Sequence, residues 1–150
     1  MPSYNKILFP IDFSSGSAKI VPDVKEIADK FESDVHIVFV VHVRHYYEGI
    51  GLQFSYVVNF EDEVVKQAKK QLQKFIATHF KDRSVTSKIV SGYPGEEILK
   101  YAQAEGINLI IMGHSKKGIK RMVMGSVAGH VVKKSHVPVL IVNPDEETSL

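Results

Sequence analysis

The chain has 150 residues, which fits a single domain spanning residues 1–150 that is long enough to bury a hydrophobic core. Its net charge of +2 is too small to make nucleic acid an expected partner, and its hydrophobic and charged fractions, 44% and 24%, are those of an ordinary globular protein. The absence of cysteine excludes disulfides and thiolate metal sites and fits a cytoplasmic location, and no apolar run reaches the ~18–20 residues of a membrane span.

Five short segments are rich in β-branched and other apolar residues, and each is predicted to be a strand. The second, VHIVFVVHV, has too few polar positions for one face to be exposed to water. Near-continuous apolar strands are typical of a parallel sheet that is covered on both faces. The five predicted strands are residues 6–12, 35–43, 84–90, 109–112 and 138–142.

Between the strands, apolar residues recur three or four positions apart, which predicts helices over residues 18–31, 57–80, 98–104 and 127–134. Pro22 lies inside the first of these, so that helix is expected to begin or to bend there. Residues 44–55 have no clear period and are predicted to form a loop. Strands that alternate with helices predict an α/β fold with right-handed crossovers, built as an open parallel sheet with helices on both faces.

The ends of the first and fourth predicted strands carry the residues that a ligand site needs. In open α/β sheets, ligands bind beyond the carboxyl ends of the strands. Asp12 ends the first strand and offers a carboxylate for ribose hydroxyls, with Ser14 and Ser15 beside it. The fourth strand leads into MGHSKKGIKRMVMGS, a lysine-rich loop with glycines at positions 113, 118 and 125. Glycine reaches positive φ and lets an anion approach the backbone, which favours phosphate here.

The same residues also allow a purely structural interpretation. Ser126 stands where the last helix is predicted to start, so it either brings a helix N-terminus to a phosphate or simply caps that helix. Asp12, or one of the serines after it, would equally serve as the cap of the first helix. The glycines would then only shape a loop, and both interpretations stay open at this point.

Three segments carry a resemblance to a known family: KILFPIDFS near the start, VSGYPGEEILKYAQAEGINLIIMG in the middle, and GSVAGHVVKKSHVPVLIV near the end. Together they make the chain resemble the universal stress protein family over essentially its whole length. The resemblance implies a Rossmann-like nucleotide-binding fold of strand order 3-2-1-4-5, in which the first and fourth strands are neighbours. It also implies a stress-response protein that works as a sensor or signalling module.

The family contains members that bind ATP and members that do not. The ATP-binding pattern is a glycine, two residues, a second glycine, nine residues, and then Gly-Ser or Gly-Thr. Gly113 matches the first glycine, and Gly125 with Ser126 matches the closing pair. The segment between Gly113 and Gly125 is one residue shorter than the pattern requires. Ser115 stands at the middle position, where a β-carbon costs about 1 kcal/mol or more if the backbone needs positive φ. Lys116 or Lys117 would offset that cost through a charged contact with phosphate.

The remaining nucleotide-binding positions follow from the resemblance, residue by residue. Asp12 corresponds to the family aspartate that holds the ribose, and the backbone of Val43 would meet the adenine ring. With these two, the predicted nucleotide site consists of Pro10, Ile11, Met112, Gly113, Ser115, Lys116, Gly118, Gly125, Ser126 and Val127. ATP is the expected ligand, magnesium is expected only as its companion, and at most weak ATP hydrolysis is expected.

Several alternatives compete with ATP binding. A family member without nucleotide would act through dimerisation and protein contacts, because the last strand, from Val137 to Val142, would leave an apolar edge exposed. The resemblance implies a homodimer that pairs this strand across a two-fold axis, with a further protein partner of unknown identity. An adenylyl transferase would need a HIGH- or SGGKDS-like motif, and the sequence has neither. KKGIKR contains no aromatic residue to stack on bases, so nucleic acid is not expected.

The seven histidines do not predict a metal site. His42 and His45 are three residues apart across a strand end, where side chains diverge. His114 would either approach a phosphate or point to solvent. The others considered are expected at the surface or partly packed: His36, His130 and His136. No nucleophile and base are close enough in the pattern to predict a catalytic pair.

Overall fold

The computed structural model describes residues 3–42, 54–114 and 125–144, with the side chains of residues 54–61 excepted. Five parallel strands form one sheet: β1 (Lys6–Ile11), β2 (Asp34–Val41), β3 (Thr86–Ser91), β4 (Leu109–Gly113) and β5 (Val139–Val142). The helices of the described part are α1 (Ser15–Lys19), α2 (Val21–Phe31), α3 (Phe54–His79), α4 (Pro94–Ala104) and α5 (Ser126–Lys134).

The strand order is β3-β2-β1-β4-β5, which confirms the order that the resemblance implies. The first and fourth strands are neighbours, with Ile7 paired to Leu109 and Leu8 paired to Ile110. Because all the strands are parallel, the carboxyl ends of β1 and β4 lie side by side at one edge of the sheet. The order reverses between these two strands, which is where open α/β sheets bind ligands.

Both faces of the sheet are covered, as the near-continuous apolar strands predict. Successive residues of β1 point to opposite faces, so Phe9 packs under α2 and α3 while Leu8 packs under α4 and α5. Both side chains are fully buried, and burial of a side chain of this size stabilises the fold by roughly 1.5–3 kcal/mol. The two cores fix the central strands firmly, and with them the strand ends that carry the polar residues.

The expectation that the first predicted helix, residues 18–31, begins or bends at Pro22 is confirmed, but a separate short helix precedes it. The chain forms two helices there, and α1 begins at Ser15, three residues before the predicted start. Ser14 caps α1, since its side chain accepts a hydrogen bond from the backbone nitrogen of Ser17. Pro22 lies in the first turn of α2, where its missing N–H costs nothing, so a new helix begins beside it.

The other element bounds agree with the predicted ones to within four residues, and several coincide. The largest differences are at α4, which begins at Pro94 instead of residue 98, and at α3, which begins at Phe54 instead of residue 57. Pro94 is favourable at the first position of a helix, so the helix extends back to it. In the described part of the chain, no helix is both long and apolar enough to cross a membrane.

Candidate functional site

A cavity of about 470 Å³ opens at the carboxyl ends of β1 and β4, at the switch point of the sheet. This volume is within the usual range for a small-molecule site. The cavity is bounded by the end of β1 and the start of α1, by the end of β4, and by the first turn of α5. Eight predicted site residues line it together: Pro10, Ile11, Asp12, Met112, Gly113, Gly125, Ser126 and Val127.

The remaining four predicted site residues cannot be compared with the structure. Val43, Ser115, Lys116 and Gly118 all lie outside the described residues. After β4, the chain is described as far as His114 and again from Gly125.

The carboxylate of Asp12 is held by the loop that follows β1. Its Oδ1 accepts hydrogen bonds from the backbone nitrogen of Ser14 at 2.9 Å, from the Ser14 hydroxyl at 2.5 Å, and from the Ser17 hydroxyl at 2.9 Å. Ser17 is 8% exposed, whereas Asp12 is exposed. Among the described residues, none donates a hydrogen bond to the other carboxylate oxygen, Oδ2.

These hydrogen bonds also set the charge of Asp12. Partial burial raises the pKa of this carboxyl, but the hydrogen bonds from Ser14 and Ser17 to its charged form outweigh that effect. The pKa of Asp12 therefore lies below its ordinary value, and the group is an anion at neutral pH. An ionised carboxylate accepts hydrogen bonds and donates none, which suits it to sugar hydroxyls and not to phosphate.

Phe13 explains how the loop turns back on Asp12. Its φ of 63° is in the left-handed region, which is strained for a bulky side chain. The turn brings the Ser14 nitrogen to the carboxylate two residues earlier, and the Phe13 ring packs against Phe39 with ring centroids 4.3 Å apart. The sequence analysis missed this role of Phe13, because no signal in the segment PIDFSS distinguishes a left-handed phenylalanine from an ordinary one.

On the opposite wall, α5 begins without a side-chain cap. Gly125 occupies the cap position with φ −57° and ψ 161°, and Ser126 is the first residue of the helix. The interpretation of Ser126 as a helix cap is therefore wrong, since the residue that precedes the helix has no side chain. Helix geometry leaves the first backbone N–H groups of α5 without partners inside the helix, and they carry the positive end of its dipole.

The glycines of this wall do not adopt the left-handed backbone that the sequence analysis expected. Neither Gly113 nor Gly125 has a positive φ, so the expected left-handed backbone is wrong at both positions. A β-carbon on Gly113 would make ordinary contacts, the nearest 3.6 Å from the carbonyl oxygen of Val142. The packing of the described residues thus does not require glycine at position 113.

His114 directly follows the last residue of β4 and lines the cavity. Its Nδ1 is shielded from water and has no hydrogen-bond partner in the part of the chain that the structure describes. The sequence allowed two placements of this side chain, near a phosphate or exposed to solvent. The burial of Nδ1 argues against exposure to solvent.

Three further histidines, His36, His130 and His136, were expected at the surface or partly packed. His36 is 6% exposed and its Nδ1 forms a 2.7 Å hydrogen bond with the Tyr101 hydroxyl, so the expectation that His36 is at the surface or partly packed is wrong. Its position on the second strand faces α4, which buries it. His130 is partly buried and His136 is exposed, as expected. Among the described residues, no three histidine, aspartate or glutamate side chains come close enough to hold a metal ion.

Comparisons with known proteins agree with this architecture. The model of the universal stress protein family matches residues 3–143. Among individual proteins, the universal stress protein MJ0577 of Methanocaldococcus jannaschii is 34% identical, over 93% of this chain and 94% of that protein. The universal stress protein MJ0531 of the same organism is 31% identical, over 93% of this chain and 82% of that protein. The chain therefore belongs to the universal stress protein family.

Solved structures show the same fold. The structure of MJ0577 matches with a TM-score of 0.81 at 31% identity, over 96% of this chain and 99% of that one. A universal stress protein in complex with cAMP matches with a TM-score of 0.64 at 17% identity, over 95% of this chain and 99% of that one. The universal stress protein from Archaeoglobus fulgidus in complex with dAMP matches with a TM-score of 0.63 at 21% identity, over 95% of this chain and 100% of that one. The last two identities are low and support the fold alone.

Proposed function

We propose that this protein binds an adenine nucleotide, ATP in the first place, in the cavity between β1 and β4, and that nucleotide occupancy is the signal it provides. One observation carries the proposal. A single cavity has an ionised carboxylate, Asp12, on one wall and the uncapped start of α5 at Gly125 on another. A nucleotide needs both, because its sugar donates hydrogen bonds and its phosphates accept them.

The sugar and base would bind at the β1 side. Oδ2 of Asp12 would accept hydrogen bonds from ribose hydroxyls, while Ser14 and Ser17 hold Oδ1 in place. Apolar side chains line the adjoining surface, among them Met112 and Phe39, and suit the flat face of a base. Val43 is proposed as the backbone contact to adenine on the basis of the family resemblance.

The phosphates would bind at the start of α5. The N–H groups of Ser126 and Val127 belong to the first turn, where the helix dipole favours negative charge. Gly125 contributes no side chain, which leaves the approach to those groups open. Ser115, Lys116 and Gly118 belong to the intervening loop and are kept as proposed phosphate contacts. Magnesium would accompany the nucleotide, held through phosphate and water oxygens.

Relatives support this proposal at the level of the fold. Two proteins with the same fold were solved in complex with cAMP and with dAMP, so the fold accommodates adenine nucleotides. Their identities to this chain are too low to transfer individual contacts, and the case for nucleotide therefore depends on the walls of the cavity described above.

We propose a sensor with little or no turnover. The described cavity walls bring together a carboxylate, four serines and a histidine, but the two serines that hydrogen-bond to the carboxylate, Ser14 and Ser17, are not activated as nucleophiles. The hydroxyls of Ser14 and Ser17 both donate to Asp12, which is already ionised by those bonds. A cytoplasmic location is part of the same proposal and is based on the cysteine-free composition.

A second candidate is a family member that works through dimerisation, and the open edge of the sheet favours it. β5 pairs only with β4, so its other side has backbone groups without a strand partner among the described residues. Leu140 on β5 is 39% exposed and Val132 on α5 is 42% exposed. We propose a homodimer through residues 137–142, which is compatible with nucleotide binding and would also serve a protein that binds none.

Isothermal titration calorimetry with ATP, AMP and adenosine, and with GTP as the matched control, tests the proposed function. We expect adenine ligands to bind in a 1:1 ratio and to bind more tightly than GTP. Asp62 is an exposed acid on α3, far from the cavity in sequence, so Asp62→Asn is a charge-matched control for changes at Asp12. Absence of binding by all adenine ligands at millimolar concentration would leave the dimerisation function as the better account.

A further inference from the structure

We propose that Phe13 and Phe39 form a positioning pair for the carboxylate of Asp12. Contact between their rings holds the backbone of Phe13 in the turn that fixes this carboxylate at the cavity. The inference rests on the proposed function, in which Asp12 accepts hydrogen bonds from the sugar. Phe13 acts through Asp12, because the described residues that line the cavity include Phe39 and Asp12 but not Phe13. The basis is the juxtaposition of a strained backbone after β1 with an aromatic anchor on β2.

The backbone of Phe13 is strained without a helix end to explain it. In the described part of the chain, the residues other than glycine with positive φ are Phe13, at 63°, and Glu32, at 52°. Glu32 ends α2 as its C-cap, a place where left-handed backbone is common. Phe13 instead lies between β1 and the cap of α1. Strain of this kind persists only where the surrounding structure enforces it, and it is concentrated at ligand sites.

The ring of Phe39 is what enforces this conformation. The two ring centroids are 4.3 Å apart with an angle of 36° between the planes, and aromatic contacts stabilise a structure beyond burial alone. Phe39 belongs to β2, which pairs with β1 on one side and with β3 on the other, and it lies opposite Ile11 in the register. The anchor is therefore part of the rigid sheet, while the residue that it holds is in the loop after β1.

The turn at Phe13 decides where the next residue meets Asp12. The backbone angles of Phe13 direct the nitrogen of Ser14, which donates to Oδ1 of Asp12 over 2.9 Å, and the Ser14 hydroxyl donates to the same oxygen. An extended backbone at Phe13 would carry both donors away from the carboxylate. Phe39 also lines the cavity, so one aromatic contact sets the position of the carboxylate relative to the apolar wall. Preorganisation of this kind favours binding of a ligand that uses both walls.

Two substitutions at position 13 separate this role from simple packing. Valine keeps an apolar side chain, but its branched β-carbon strongly opposes positive φ. Glycine removes the side chain and adopts positive φ without steric cost. If Phe13 served only the core, Phe13→Val would be the milder change. If it positions Asp12, Phe13→Gly is the milder change at the site, although it removes more packing.

The experiment measures the pKa of Asp12 by ¹³C NMR without ligand, and the affinities for adenosine and ATP by calorimetry. Burial raises the pKa of Asp12 and the hydrogen bonds from Ser14 and Ser17 lower it, so loss of the Ser14 bonds should raise it. We expect Phe13→Val to raise this pKa and to weaken adenosine and ATP binding about tenfold. Phe13→Gly should keep a lowered pKa and an affinity within about threefold of the wild type.

Two further variants complete the design. Phe39→Ala leaves residue 13 unchanged and removes its anchor, so it should raise the pKa of Asp12. That pKa is measured without ligand, so lost contacts between Phe39 and a ligand do not contribute to the result. Phe31→Val, at a phenylalanine that is 49% exposed on α2, is the matched control and should change neither the pKa of Asp12 nor the affinities.

Three results would overturn the role of this pair. They are an unchanged pKa of Asp12 in Phe13→Val, an unchanged pKa of Asp12 in Phe39→Ala, and a larger loss of adenosine affinity in Phe13→Gly than in Phe13→Val. Each of them leaves the proposed function intact, because wild-type protein still binds nucleotide. If the wild type bound neither adenosine nor ATP, the proposed function would fail, and the role of the pair in nucleotide binding would fail with it.

Discussion

The hydroxyl of Ser17 donates to Oδ1 of Asp12 over 2.9 Å, from a buried position on α1 to an exposed carboxylate at the end of β1. The same oxygen accepts from the nitrogen and the hydroxyl of Ser14. Three donors on one oxygen fix the side chain before any ligand arrives, so binding need not bear the cost of ordering it. This arrangement makes Asp12 a preorganised acceptor at the rim of the cavity.

Replacing Asp12 with Asn tests that role. The amide keeps the size of the side chain and can keep an oxygen facing Ser14 and Ser17, but it then turns an N–H₂ group to the cavity. That group donates, so it cannot accept from ribose hydroxyls. We expect adenosine and ATP affinities to fall about tenfold or more, with little change in melting temperature. Calorimetry should show no such loss for Asp62→Asn, and an unchanged affinity in Asp12→Asn would remove the residue from the site.

The site was predictable where it depends on strand ends and unpredictable where it depends on turns. Asp12 and Met112 end neighbouring strands, and the parallel order alone brings such residues together. The left-handed Phe13 and the orphaned Nδ1 of His114 arise from tertiary packing, which no local pattern encodes. The expectation of positive φ at Gly113 and Gly125 failed for the same reason. Glycine permits positive φ, but its presence does not prove that the backbone adopts it.

The fold itself was predictable because burial on both faces leaves strong periodic patterns. Phe9 and Leu8 alternate between two cores, and the sequence shows this as an unbroken apolar run. The bounds were less accurate where a cap or a proline decides them. Ser14 and Pro22 divide one periodic stretch into α1 and α2, because a local hydrogen bond and a missing N–H outweigh the apolar stripe.

The stability of the protein should depend on the buried pair formed by His36 and Tyr101. Burial lowers the pKa of His36, with a further lowering by Lys6, while the carboxylates of Glu105 and Asp34 act in the opposite direction. The folded-state pKa is thus below the unfolded value of about 6.5, and the folded protein favours the neutral ring. The corresponding stability is present above about pH 6.5 and is lost as the pH falls below it toward the folded-state pKa.

Urea unfolding at a series of pH values between 5 and 8 measures this dependence. We expect the double variant His36→Leu/Tyr101→Phe to lose less stability than the wild type as the pH falls. Tyr101→Phe alone leaves Nδ1 of His36 buried without a partner and should cost about 1–2 kcal/mol at pH 7.5. Parallel pH profiles for the wild type and the double variant would refute the assignment to His36.

Gly95 on α4 is required by the close approach of α5. A β-carbon there would lie 2.6 Å from Cδ2 and 2.9 Å from Cγ of the His130 ring, too close for either atom. We expect Gly95→Ala to destabilise the protein by about 1–3 kcal/mol, because the ring must shift. In the His130→Ala background, the same substitution should be neutral or stabilising, since alanine is the better helix former. Additive effects in this double-mutant cycle, measured by urea unfolding, would contradict the steric account.

The proposed dimer depends on the exposed edge at β5. Lysine on an edge strand opposes strand pairing between molecules, so Leu140→Lys should convert the dimer to a monomer in sedimentation experiments. Phe31→Lys is the matched control, because Phe31 is 49% exposed on α2, away from this strand. A wild-type protein that sediments as a monomer, or a Leu140→Lys variant that stays dimeric, would contradict pairing through β5.

The most direct test of nucleotide binding in the cavity is a ¹H–¹⁵N NMR titration of the wild-type protein with ATP. We predict saturable shifts at the amides of residues 12–17, 113–114 and 125–128, which bound the cavity on its separate walls. The amides of residues 66–74, on the exposed lysine-bearing part of α3, serve as the control for nonspecific anion binding. Shifts confined to that helix, or no shifts at millimolar ATP, would contradict the account.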